Sequence, residues 1–149
     1  MIRGTLLSKC GSEAYRNPAP VVSGIEIGDL LGNTLPLLWD GLFDTGADRT
    51  VVPHKVCRQL KMIPHDWTRP RGFDPESPTR EIPRYYVRLR IPGIGETDLL
   101  AFGVDRSNVL LGRDFLNCKF FVIDGDTRRW AVHVASRWVP ILSRCLRVR

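Results

Sequence analysis

Asp44, Thr45 and Gly46 stand between two apolar runs in the stretch LLWDGLFDTGADRTVVP, residues 37–53. An acid at the end of a strand, beside a hydroxyl and a residue with no Cβ, suits proton chemistry on a rigid turn. Apolar neighbours partly desolvate such a carboxylate. Thr45 can both donate and accept a hydrogen bond. Gly46 leaves room for a backbone or a ligand to come close. Hydrolysis of an amide needs more than one such group. A base must activate water, and an acid must protonate the carbonyl oxygen or the leaving nitrogen. Two adjacent carboxyls that share a proton fill both roles, because close like charges resist ionising together. The triplet occurs once in the 149 residues. A second carboxyl would come from a second copy of the chain, since residues beside a two-fold axis meet their own counterparts. The competing reading of Asp44 is a turn acid whose side chain caps its own backbone.

The flanking elements have to hold this loop. VVSGIEI (21–27) alternates and predicts a strand, GDLLGN supplies a turn, and TLPLLW returns. GLF (41–43) leads into the acid and RTVVP (49–53) leaves it as another strand. Pro53 suits the first turn of a short helix that ends before Pro64. Residues 65–91 predict a long hairpin with the turn sequence DPESPT at its centre. Its second arm, YYVRLRI, places Tyr86, Arg88 and Arg90 on one face and Tyr85, Val87, Leu89 and Ile91 on the other. PGIGE (92–96) is a second turn, and TDLLAFGV (97–104) comes back from it. NVLLG (108–112) is a short apolar strand, with one helical turn in RDFLNC after it. KFFVID and RRWAVHV flank a Gly-containing loop as a last hairpin. Pro140 argues against one continuous helix in the final segment. The class is all-β with one or two short helices.

The whole chain sets further bounds. With 43% hydrophobic and 26% charged residues, 13 Gly and 11 Pro, it reads as one globular domain of short strands and turns. No apolar run reaches the roughly 20 residues that span a bilayer, and no signal peptide is apparent. Cys10, Cys57, Cys118 and Cys145 are widely spaced, which fits unpaired thiols in a reducing cytoplasmic compartment better than a disulfide framework. The cysteines and the three His supply no close ligand pairs, so neither a metal nor another cofactor is expected. Net charge is +6, and no acid follows Asp126, although Arg128, Arg129, Arg137, Arg144, Arg147 and Arg149 do. Such a tail could attract nucleic acid, anionic lipid or an acidic partner, or simply form a solvated, solubilising surface. The chain lacks an aromatic-rich RNA motif, a zinc pattern and a helix-turn-helix, which argues against nucleic acid as the partner.

LFDTGADRTVVP resembles the active-site strand and loop of the retropepsin-like aspartic proteases. NVLLGRDFLN (108–117) resembles that family's apolar-apolar-Gly segment, which is followed by Arg, then Asp or Asn, and a short helix. The resemblance covers roughly residues 20–125, within a domain taken as 18–149. It leaves out an N-terminal arm (1–17), in which IRGTLL could be a strand, and a basic extension (127–149). It implies a closed β-barrel with the active site at a homodimer interface and an aspartic endopeptidase acting on an extended protein or peptide. Asp44 would be the catalytic acid, one from each protomer. Thr45 would lock the two loops together, and Gly46 would offer its backbone to the substrate. Asp48 would pair with Arg113 in a partly buried brace, against the bland reading of two exposed charges. Leu111 and Gly112 would support the loop. The hairpin 67–83, with Gly72 and Phe73, would form a flap closing over substrate. PGIGE is a rival for that role, but strands on both sides explain it as an ordinary turn.

Trp130, Trp138, Ile141 and Leu146 could seal a dimer interface or pack in the core. His54 and His65 read as surface residues. A second functional class stays open: a retropepsin-fold scaffold for dimerisation or peptide capture with little proteolysis.

Overall fold

The computed structural model describes residues 2–7, 19–70, 81–124, 127 and 129–133. In chain order the elements are β1 (Ile2–Leu7), β2 (Ala19–Gly28), β3 (Thr34–Phe43), β4 (Val51–Pro53), α1 (His54–Gln59) and β5 (Asp66–Thr68). Then follow β6 (Ile82–Ile91), β7 (Gly95–Val104), β8 (Val109–Leu111), α2 (Arg113–Leu116), β9 (Phe120–Asp124) and β10 (Arg129–His133). The strands run in the order β5-β6-β7-β4-β8-β3-β2-β1-β10-β9, and a further pairing of β6 with β2 closes the middle of the sheet on itself. The result is a closed barrel of six strands, β6, β7, β4, β8, β3 and β2, with two short helices; the all-β class with short helices is what the sequence predicts, and the closed barrel is what the resemblance implies. Closure gives these strands hydrogen-bond partners on both sides.

The alternation in YYVRLRI is realised. Tyr85, Val87, Leu89 and Ile91 are buried, while Tyr86 is exposed and Arg88 and Arg90 face outward. Their partners inside the barrel include Ile25, Ile27, Val52, Val109 and Leu111. The predicted strands at 34–39 and 41–43 are one strand, β3. It pairs with β2 from Gly28↔Thr34 to Val21↔Leu42, with a bulge between Val22 and Ile25. The turn between them is held by Asp29, whose carboxylate accepts the N–H groups of Leu31 and Asn33 and the Asn33 side-chain amide.

PGIGE is a tight hairpin turn closed by Ile91↔Gly95. Gly93 and Gly95 take positive φ of 72° and 107° there, which only glycine adopts freely. Ile94 at its tip is buried, so this turn folds back onto the barrel. The base of the other hairpin is formed by β5 and β6, paired from Asp66↔Arg84 to Thr68↔Ile82. The flap residues Gly72 and Phe73 lie outside the described residues.

Residues 2–7 do not stand apart as an arm. They form a strand set between β10 (Ile2↔Val132 to Thr5↔Arg129) and β2 (Leu6↔Pro20, Leu7↔Ala19). Trp130 on β10 packs in the core: it is buried, its ring lies 4.9 Å from that of Phe43, and its Nε1–H donates to the Val21 carbonyl at 3.1 Å. Trp138, Ile141 and Leu146 lie outside the described residues. His54 is not a plain surface residue. It is half-buried, and its Nε2 lies 2.9 Å from the hydroxyl of Tyr85, itself buried. His65 is exposed, with its ring 4.8 Å from that of Tyr86.

Candidate active site

The acid loop joins β3 to β4, and these two strands are not neighbours. β8 lies between them, parallel to β3 (Phe43↔Leu111) and antiparallel to β4 (Val51↔Leu110). The loop must therefore pass over the end of β8, where the chain enters α2. Two segments about 64 positions apart in sequence meet there. Asp44, Thr45, Gly46 and Asp48 come from one, and Leu111, Gly112 and Arg113 from the other.

Backbone contacts hold the crossing. The Asp44 N–H donates to the Leu111 carbonyl at 3.0 Å, which extends the β3–β8 pairing by one residue into the loop. The Ala47 N–H donates to the Asp44 carbonyl at 3.3 Å. The first N–H groups of a helix have no partner within it. In α2 the Arg113 N–H donates to the Ala47 carbonyl at 2.8 Å and the Asp114 N–H to the Asp48 carbonyl at 3.3 Å. The loop thereby caps the helix, and the helix fixes the loop. Gly112 makes the close approach possible. A Cβ there would come within 2.5 Å of the Arg49 carbonyl carbon and 2.9 Å of the Thr50 nitrogen, both backbone atoms.

Asp44 is half-buried, whereas Thr45 and Gly46 are exposed. Its Oδ1 accepts the Gly46 N–H at 2.9 Å. Its Oδ2 has no hydrogen-bond partner among the described residues. The self-capping turn and the presented acid are thus one arrangement: one oxygen sets the side-chain orientation, and the other meets no partner among the described residues.

Asp48 and Arg113 form an ion pair, but both side chains are largely exposed, at 76% and 53%. Within one protomer the pair is a surface contact and not the partly buried brace expected from sequence. Such pairs contribute about 0–1 kcal/mol. The polar contacts that are shielded from water belong to Thr50 and Asp114, which sequence reasoning passed over. Thr50 is fully buried. Its N–H and hydroxyl donate to the Asp114 carboxylate at 2.9 and 2.7 Å. The available signal was the acid directly after Arg113, in the first turn of a helix, where carboxylates commonly take up unpaired N–H groups.

No group of three or more His, Cys, Asp or Glu among the described residues could hold a metal ion. No helix among them is long and apolar enough to cross a membrane.

The fold and the loop together define a β-barrel protein with a single Asp-Thr-Gly loop that passes over the end of β8. No protein-family profile matches the chain, and no curated protein does. Among solved structures it is similar to the foamy viral protease-reverse transcriptase in complex with an RNA/DNA hybrid, with a TM-score of 0.48 and 15% identity over 66% of this chain. A dRH form of that protein in complex with double-stranded DNA gives a TM-score of 0.46 and 16% identity, again over 66% of this chain. The similar regions span 12% and 15% of those longer chains. EIAV protease complexed with the inhibitor HBY-793 gives a TM-score of 0.46 and 22% identity, over 68% of this chain and 88% of that one.

Proposed function

We propose that the chain is an aspartic endopeptidase of the retropepsin-like kind, working as a homodimer on protein or peptide substrates in extended conformation. The observation that carries this reading is the state of Asp44. Its carboxylate is oriented by the Gly46 N–H through Oδ1, with Oδ2 unpartnered among the described residues, on a loop tied by backbone hydrogen bonds to β8 and α2. A carboxyl presented in this way has the preorganisation that acid–base chemistry needs.

In the mechanism, two copies of Asp44 face each other across a two-fold axis and share one proton. The ionised member takes a proton from water, and the water attacks the scissile carbonyl. The protonated member donates to the carbonyl oxygen, and proton return to the nitrogen releases the amine. The pair titrates as a unit, with apparent pKa values that belong to neither copy alone. Thr45 hydrogen-bonds across the axis, Gly46 meets the substrate main chain, and the hairpin that starts at β5 closes over the peptide. Asp48 and Arg113, exposed in the protomer, are free to be covered by the second copy.

The test is cleavage of an unbiased peptide library by the wild type and by Asp44→Asn from acidic to neutral pH, with a pepstatin-type inhibitor as control and sedimentation to establish the dimer. Cleavage by the wild type alone supports the paired-acid mechanism. Silence from a dimeric wild type would transfer the reading to a retropepsin-fold scaffold.

A further inference from the structure

The geometry points to Asp114 as the positioning residue of the acid loop, acting on Asp44 through Thr50; this role rests on the hydrolytic reading above. Asp114 lies in the first turn of α2 and is half-buried. Its Oδ1 accepts the Thr50 N–H at 2.9 Å, the Thr50 hydroxyl at 2.7 Å and the Phe115 N–H at 2.9 Å, and its Oδ2 also lies 3.0 Å from the Thr50 nitrogen. Three donors converge on an acceptor-only group, which is what an ionised carboxylate matches.

Thr50 is engaged at every polar atom. Besides its two donations to Asp114, its hydroxyl oxygen accepts the Gly112 N–H at 3.2 Å and its carbonyl accepts the Phe102 N–H at 3.0 Å. Gly112, Thr50 and Asp114 therefore close a ring of hydrogen bonds that joins the end of β8, the start of β4 and the first turn of α2. Asp44 is anchored to the same short segment from the other side, through the Leu111 carbonyl. Both ends of the loop are thus referred to residues 111–114. A displacement at Thr50 reaches Asp44 through only five intervening residues, 45–49. Small misplacements of a reacting group cost rate steeply. The exposed Asp48–Arg113 pair cannot supply this precision, because solvent and salt screen it. All the contacts lie within one chain, so the loop takes its shape in the protomer before a second copy arrives.

The substitutions Asp114→Leu, Thr50→Val and Asp114→Asn in the full chain test the role, through two readouts: amide hydrogen exchange, and kcat and KM on a peptide taken from the library. Asp114→Leu and Thr50→Val should each lower kcat by about 10- to 100-fold with KM little changed. Exchange should accelerate over 44–50 while the β6–β7 amides keep their protection. Asp114→Asn, which keeps an acceptor oxygen for the Thr50 donors, should recover most of kcat, and the Asp114→Leu/Thr50→Val double variant should lose no more than either single one. If Asp114→Leu does not fold, Thr50→Val set against Thr50→Ser, which keeps the hydroxyl, carries the same comparison. Unchanged exchange over 44–50 would overturn the role, as would an equal rise across the whole barrel. A wild type that cleaves nothing would remove the hydrolytic reading only; exchange would still decide whether Asp114 holds the loop.

Discussion

Two polar regions of this barrel use similar residues to opposite ends. On the outer face of β2, β6 and β7, Arg88 pairs with Asp98 at 2.7 Å and Arg90 with Glu96 at 2.7 Å, and Arg90 also meets Glu26. These are full charges in good geometry on the water-facing side of the sheet, with Arg90, Glu96 and Asp98 exposed and Arg88 and Glu26 half-buried. At the acid loop the hydrogen bonds are fewer in charge but shielded, with Thr50 fully buried and Asp114 half-buried. Water competes for every contact in the arginine ladder and for almost none at Thr50, so the value of a polar contact follows its surroundings more than its formal charge. The ladder decorates a strand pair already fixed by backbone pairing from Arg84↔Phe102 to Ile91↔Gly95. The loop has no such continuous ladder: a few backbone bonds to β8 and α2 hold it together with the side chains of Thr50 and Asp114.

The sharpest test of this contrast is at Asp44. Asp44→Asn should lower cleavage by on the order of a thousandfold or more, while the thermal unfolding midpoint and the sedimentation profile stay close to wild type. Full activity would end the acid–base assignment. Next in size is Gly112→Ala. The added Cβ meets backbone that cannot swing aside, so protomer stability should fall by about 1–3 kcal/mol in urea titration, and activity should fall with it. A neutral result would mean that the crossing is looser than its hydrogen bonds imply. Arg113→Ala should cost the protomer no more than about 1 kcal/mol but weaken the dimer in sedimentation. An unchanged dimer would assign the Asp48–Arg113 pair to the surface in the assembly as well. Arg88→Ala and Arg90→Ala on the ladder should leave cleavage unchanged and move the urea midpoint least of all.

The smallest expected effect is in pH dependence. Hydrogen bonding to Arg88 holds the Asp98 carboxyl below its ordinary 3.8, and Arg84 does the same for Asp66. A lowered pKa in the folded state means that the stabilisation is present above pH 3.8 and is lost as pH falls through the folded value. Both acids are more than a third exposed, so the acid limb of a stability profile should flatten only slightly in Asp98→Asn. A separate check on the core concerns the thiols. Burial pushes Cys57 up to about 12, whereas Cys118 is exposed. Peptide mapping after iodoacetamide treatment at pH 8 should find Cys118 alkylated and Cys57 protected until the protein unfolds.

Much of this arrangement was legible beforehand because it is local. Strict alternation in YYVRLRI identifies the inner face of β6, since side chains on a strand alternate between its two faces. Glycines in PGIGE mark a turn that needs positive φ. FDTGAD and VLLGRDFL are read from residues in sequence next to one another. His54 was misread for the opposite reason: its partner, Tyr85, is 31 positions away, and nothing in the helix sequence announces it. The insertion of β1 between β10 and β2 likewise depends on edges that exist only once the sheet is assembled.

By itself, then, the amino-acid sequence determined the strands, the turns and the single acid between two apolar runs, because periodicity, φ preference and hydrophobic burial act over a few residues. Only the tertiary structure decided that β8 passes between the two strands flanking that acid, that Asp48 and Arg113 meet in the open, and that Asp114 closes on Thr50. Those outcomes depend on which distant segments become neighbours and how much water is left between them, and both are set only when the barrel closes.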